Sequence, residues 1–179
     1  MDYQKIIDRY YPAGSALRDI YMHHCRQVAD LALNIARERH LDVDLDQVEA
    51  AAMLHDIGIF LTDAPGIHCH GTEPYIKHGL LGSQLLQRDG VDEAIAAVAR
   101  RHTGAGITND EILELSLPLP PGDYMPETLL ERLVCYADKF YSKSGDMQRK
   151  SLERVRQSMS RHGGDTAARF EQLHREFTD

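Results

Sequence analysis

Met53-Leu54-His55-Asp56-Ile57-Gly58 decides how this chain is read, because it sets an imidazole and a carboxylate side by side at the end of an apolar helical run. The stretch from Asp46 to Ala52 leads into it, and Asp46 with Glu49 three residues on has the form of a capping box. Gly58 offers permissive backbone at the helix C-terminus. His55 falls on the face of Val48, Ala51 and Ala52 and so points inward, with Asp56 about 100° further round the helix. A carboxylate buried there without a partner is expensive. Coordination of a metal by imidazole and carboxylate removes that cost and suits Mn, Fe or Zn.

Working outward, further histidines fall on inward faces. Tyr3, Ile6, Ile7 and Tyr10 predict a short helix over residues 2–10, and a second is expected from about Ser15 to Arg39. Its apolar stripe is Val28, Leu31, Ala32 and Ile35, and one turn before Val28 stands His24. His23 points elsewhere, and His40 falls at the helix end. Phe60 to Thr72, with Pro65, Gly66 and Gly71, reads as a loop long enough to cover a site. Glu73-Pro74 opens a helix to about Arg88 that aligns His78 with Tyr75, Leu81 and Leu85. Asp92 or Glu93 starts another, in which Ile95, Val98 and Ala99 precede His102. A short helix over Asn109 to about Leu115 follows, then a long connection from Leu117 to Met125, where Pro118, Pro120, Pro121 and Gly122 forbid regular structure. Pro126-Glu127 then opens a helix whose stripe of Leu130, Val134 and Tyr141 includes Asp138. From Asp146 onward, Met147, Leu152, Val155 and Met159, then Gly163-Gly164, then Phe170, Leu173 and Phe177 predict a helical hairpin with no evident chemistry. No segment has a convincing strand pattern, so the fold class is all-α.

With 179 residues and 42% hydrophobic content, one core and a single domain over residues 1–179 are expected. Twenty basic against 28 acidic residues, a formal charge of -8, argue against binding long nucleic acid. A phosphorylated substrate would therefore need local cations. Cys25, Cys69 and Cys135 are odd in number and lack Cys-x-x-Cys spacing, which favours a reducing compartment. No apolar run approaches the ~18 residues of a membrane span, and the N-terminus is no signal peptide, so a soluble cytoplasmic protein is expected.

The inward ionisable set is His24, His55, Asp56, His78, His102 and Asp138. Separate satisfaction of six such groups is harder than a shared metal, since each unpaired buried polar group costs about 1 to 3 kcal/mol. In this order the residues resemble the HD-domain superfamily of metal-dependent phosphohydrolases (HDIG type), whose pattern is a His, a His-Asp pair and a distant Asp. The likeness runs over about residues 15–145, and His78 with His102 match the six-ligand dinuclear subset. It implies a helical bundle in which His24, His55, Asp56 and Asp138 hold one metal, His78 and His102 a second, and Asp56 bridges. Residues 146–179 would be a C-terminal extension whose packing the likeness leaves open. The ions implied are divalent or mixed-valence first-row metals, Fe or Mn first and Zn as an option.

Two departures stand out. Ile59 follows Gly58 where many members carry Lys, and His68-Cys69-His70 offers soft ligands without a second pair to complete a tetrahedral site. The cations adjoining the ligands are Lys77, Arg101 and Lys139, with Arg100 and Lys143 nearby, and of these Lys139 is the first candidate for meeting phosphate charge. Cys25 and Cys135 read as small core residues rather than nucleophiles. The expected activity is hydrolysis of a phosphate ester or phosphoanhydride in a small nucleotide or dinucleotide by a metal-bridging hydroxide, with Asp56 and Lys139 as catalytic groups. Arg101-His102-Thr103-Gly104 and Ala137-Asp138-Lys139 look like the branch that cleaves dinucleoside polyphosphates. The same six ligands also resemble the HD-type mixed-valence di-iron oxygenases, and a non-catalytic nucleotide-binding module is the third reading.

Overall fold

The computed structural model describes residues 1–161, 163 and 165–178. Helix α1 (Tyr3–Tyr10) is followed by α2 (Ala16–Glu38), which Ser15 caps by accepting from the amide of Arg18. Helix α3 (Leu45–Leu54) begins behind Asp44, whose carboxylate accepts from the amides of Asp46 and Gln47. The box expected between Asp46 and Glu49 does not form. Glu49 is instead engaged by the Tyr3 hydroxyl (2.8 Å) and the Arg26 guanidinium (2.6 Å), so it ties α1 and α2 to α3.

After α3 the chain makes a 3-10 turn over Ile59–Leu61 and then a ribbon of two antiparallel strands, β1 (Asp63–Ala64) and β2 (Cys69–His70). The sequence reads this stretch as loop because two residues per strand are too few for alternation to register. A 3-10 turn over Pro65–Ile67 joins the two strands, and a further one (Tyr75–Lys77) runs straight into α4 (His78–Arg88), while Asp92 caps α5 (Glu93–Arg101). Thr108 and Glu111 form a capping box on α6 (Asn109–Glu114). Helix α7 (Leu129–Asp138) starts behind Thr128, which accepts from the Glu131 amide, rather than at Pro126. Helices α8 (Leu152–Met159) and α9 (Thr166–Thr178) complete the chain. Of the expected Gly163-Gly164 break, Gly163 has φ +73° and Gly164 lies outside the described residues.

The core forms where α2 packs on α3 and α7 while α5 packs on α3, α4 and α7. Val28, Ala29, Ala51, Leu54, Val98 and Val134 are fully buried there. The C-terminal pair shares this core. Phe170 and Phe177 lie on Tyr136 with ring centroids 5.9 and 5.4 Å apart, and Val155, Met159 and Leu173 join the same cluster. Among the described residues no helix is long and apolar enough to cross a membrane.

Gly58 serves a purpose other than helix termination. Its φ is -88°, which any residue adopts, and the helix has already ended at Leu54. A Cβ at Gly58 would run into the backbone carbonyl of His78 and the amide of Gly82, so its bareness lets the His55-Asp56 turn lie directly on the first turn of α4. Backbone atoms cannot step aside as a flexible side chain can. Gly58→Ala should therefore cost about 2 to 3 kcal/mol, read as a lowered urea midpoint. Gly66→Ala, where a Cβ meets nothing within 4 Å, should stay within about 0.5 kcal/mol. Equal stability of Gly58→Ala and the parent would contradict the close approach.

Candidate metal centre

Three of the histidines are held by one device. His55 Nδ1 lies 2.6 Å from the Ala52 carbonyl, His78 Nδ1 2.7 Å from that of Tyr75, and His102 Nδ1 2.7 Å from that of Ala99. A carbonyl only accepts, so each Nδ1 carries a proton. His78 and His102 then present an Nε2 lone pair, whereas Asp56 holds the pKa of His55 well above the ordinary imidazole range against the opposition of burial, so a metal at His55 would have to displace its Nε2 proton. The partner is in each case three residues earlier, the contact available to a histidine on a helical turn. His24 reaches in from the body of α2, and Asp138 is the last residue of α7.

Asp56 is the hub. It is 0% exposed, and its Oδ2 lies 3.1 Å from His24 Nε2 and 3.0 Å from His55 Nε2. Its Oδ1 lies 3.5 Å from His78 Nε2 and 3.4 Å from His102 Nε2. Asp138 Oδ1 closes the first side at 3.0 Å from His24 and 3.5 Å from His55. Two ligand groups result, His24, His55, Asp56 and Asp138 on one side and Asp56, His78 and His102 on the other, each compact enough for its atoms to meet one ion. The structure thus brings all six sequence candidates together, with Asp56 common to both sides.

The donor set fits a metal. His24 Nε2, His55 Nε2 and both Asp56 oxygens make no hydrogen bond despite these short separations, because the directions are wrong for one. His78 Nε2 and His102 Nε2 face each other at 3.0 Å, lone pair towards lone pair, an arrangement that a cation between donors relieves. Burial, with neighbouring His102, pushes His78 down to about 3, and burial likewise lowers His102, so both are neutral donors. Burial opposes ionisation of Asp56 and Asp138. Even so, His55 and Lys143 hold Asp56, and Lys139 and His24 hold Asp138, well below the usual carboxylate range. Neutral imidazoles and ionised carboxylates are the forms that bind metal.

A cavity of about 470 Å³ opens on the His78, His102 and Asp138 side. Lys139 and Lys143 line it. Lys139 Nζ donates to the His102 carbonyl at 2.8 Å and lies 2.7 Å from Asp138 Oδ2, while Lys143 Nζ lies 2.7 Å from Asp56 Oδ2. The structure does not bring Lys77 or Arg101 there. Lys77 pairs with Glu73 at 2.7 Å, and Arg101 with Glu127 and Glu131 at 2.8 and 3.0 Å. Each stands next to a candidate ligand in sequence, but a step of one residue turns the side chain about 100° away. Lys150 and Tyr75 line the cavity without having been singled out, Lys150 because it lies far along the chain where no periodic pattern marks it. Among the described residues, His68, Cys69 and His70 belong to neither ligand group. Cys69 is buried with its thiol pushed up to about 11 by burial, and His68 and His70 are exposed. Cys135 is a core residue whose thiol donates to the carbonyls of His102 and Gly104, both at 3.5 Å.

Protein purified without chelator should carry first-row metal, measured by inductively coupled plasma spectrometry. His55→Ala and Asp56→Ala should lose most of it, while Cys69→Ser should keep it. Undiminished metal in Asp56→Ala would contradict the shared hub.

A family model described as HD domain matches residues 21–142, a span that includes all six residues. A tRNA (cytidine(56)-2'-O)-methyltransferase of Thermoplasma volcanium is 34% identical over 175 residues, covering 97% of this chain and 46% of that protein. A protein of the same description from Picrophilus torridus is 32% identical over 160 residues, covering 89% and 42%. A Methanocaldococcus jannaschii protein, described as uncharacterised, is 40% identical over 120 residues, covering 65% and 63%. The chain therefore spans less than two thirds of the length of each of these relatives. Among solved structures, the HD domain of the L. monocytogenes phosphodiesterase PgpH aligns with a TM-score of 0.57 at 14% identity, covering 96% of this chain and 94% of that one, a likeness of fold. The match over residues 21–142, the shared fold and the meeting of His24, His55-Asp56 and Asp138 at one point agree: the chain belongs to the HD-domain family, the metal-dependent phosphohydrolase superfamily its sequence resembles.

Proposed function

We propose that this chain hydrolyses a small phosphorylated substrate of the nucleotide class, using two first-row metal ions. One ion would be held by His24, His55, Asp56 and Asp138 and the other by Asp56, His78 and His102. The observation that carries the reading is the convergence of candidate ligands and lysines on one cavity. When bound, such ions supply Lewis acidity to water and to phosphoryl oxygens.

The protein's own groups do the rest. Asp56 fixes both ligand groups relative to one another through its two oxygens. Lys139 holds the carbonyl of His102 and so orients that ligand, as well as placing positive charge at the cavity wall. Lys143, 2.7 Å from Asp56, lines the cavity with Lys150, and the two would meet phosphate charge there. Such local charge matters on a chain of net charge -8. In the reaction, water oxygen joins phosphorus, the bond to the leaving oxygen breaks, and that oxygen takes a proton. A monoester and water thereby give an alcohol and inorganic phosphate.

The methyl transfer named for two relatives belongs to proteins more than twice the length they share with this chain. The buried His and Asp set and the lysines here suit phosphoryl chemistry instead. Three buried free cysteines fit a reducing, cytoplasmic setting.

Nucleoside mono-, di- and triphosphates and dinucleoside polyphosphates, screened with Mn or Fe, should include one that releases product only with metal present. Asp138→Ala should reduce this to background. Lys143→Ala should raise KM roughly tenfold with metal content retained, the effect of losing one charge-assisted contact. A blank screen in which a nucleotide nonetheless binds tightly would overturn hydrolysis in favour of a binding module.

A further inference from the structure

The family match ends at residue 142, yet part of the cavity lining comes from the chain beyond it. Lys150 precedes α8, Met159 ends α8 and Thr166 opens α9, and all three line the cavity. Met159, Ile107, Leu115 and Leu117 line the same cavity. The cavity therefore has both candidate metal ligands with lysines and a set of aliphatic side chains in its lining.

The hairpin's share of this lining is fixed in place. Arg169 on α9 donates to the carbonyls of Ala105 (3.2 Å) and Gly106 (3.0 Å) and to both carboxylate oxygens of Glu111 (2.8 and 2.9 Å). One guanidinium thus joins α9 and α6 to the loop that leaves His102. It also neutralises Glu111, whose carboxylate lines the cavity and would otherwise repel an anion. Leu115 is 51% exposed; Leu113 (61%) and Leu45 (37%) are exposed as well, but of the three Leu115 is the one that lines the cavity. An exposed leucine on a cavity lined by three other aliphatic side chains is suited to contact a ligand.

We propose that the α8–α9 hairpin, with the chain after α6, is the specificity wall of this site, where Met159, Leu115, Leu117 and Ile107 receive the apolar ring of a single-base nucleotide whose phosphate lies at the lysines. This rests on reading the centre as a phosphoryl site. About 470 Å³ sits in the lower half of the ~300 to 1,000 Å³ typical of small-ligand pockets, room for one base and its sugar phosphate. It disfavours the dinucleoside polyphosphates suggested by the local likeness around His102. Apolar contact with little hydrogen bonding also implies that the wall selects for a ring rather than for one particular base.

Titration calorimetry on Mn-loaded protein with inorganic phosphate and with the non-hydrolysable 5′-methylenephosphonate analogue of AMP tests the wall independently of turnover. The analogue should bind at least tenfold more tightly than phosphate. Met159→Ala and Leu115→Ser should each weaken analogue binding about five- to tenfold and leave phosphate binding within twofold. Leu115 is exposed, so its variant keeps the fold even if that of Met159 does not. Equal affinity for the analogue and phosphate in the parent, or analogue affinity unchanged in Leu115→Ser and in folded Met159→Ala, would overturn the proposal. Selective, Leu115-sensitive binding of the analogue, with no hydrolysis of AMP itself, would support the wall and count against the phosphohydrolase reading alone.

Discussion

The structure is arranged around one buried carboxylate. Asp56 has no exposure to water and no hydrogen bond, and it faces four imidazole nitrogens within 3.5 Å. An anion so placed needs positive charge, and the helices converge in a way that favours it. Helices α3, α5 and α7 end at Leu54, Arg101 and Asp138, so three C-termini, the negative ends of their dipoles, meet beside the ligands. The field there favours a cation and disfavours leaving the carboxylate alone. Lys143 meets that demand through its 2.7 Å contact with Asp56, with its ammonium held charged by that anion against the opposition of burial.

The turn that carries Asp56 is supported from below. Tyr11 donates to the Ile57 carbonyl at 3.0 Å and Tyr21 to that of Met53 at 2.6 Å, and the two rings stack with centroids 4.1 Å apart. These buried phenols satisfy carbonyls that the end of α3 leaves without helical partners. Above the turn, the missing side chain of Gly58 admits the backbone of α4. The geometry of the ligands is thus set by backbone contacts around residues 53 to 58, and side-chain packing of the wider core holds that segment in place.

Much of this was legible in the sequence for a definite reason. His24, His78 and His102 each share a 3.6-residue stripe with aliphatic neighbours, so helical period alone turned them inward, and the resemblance supplied the pairing with His55-Asp56 and Asp138. Periodicity says less about competition between like residues. Asp44 and Asp46 are both acidic, and Glu49 was drawn away from its local role by Tyr3 and Arg26 from other helices. Adjacency in sequence misplaced Lys77 and Arg101, which turn away to carboxylates of their own. Lys150 and Arg169 carried no signal, and Met159 only that of an apolar hairpin face, because their part at the cavity depends on where a hairpin folds back, a tertiary fact with no local pattern. The same is true of β1 and β2, too short to show alternation.

The central claim is that Asp56 and its imidazoles serve Lewis-acid hydrolysis, a use the ligand set shares with oxygen-activating di-iron chemistry. The two differ in what they ask of the metal, since hydrolysis needs no change of oxidation state and no dioxygen. The most direct test is to load the metal-stripped protein with Mn and follow phosphate release from a nucleotide under strict anaerobiosis. The account predicts full activity there. Activity confined to partly oxidised di-iron protein, with dioxygen consumed in proportion to turnover, would contradict it.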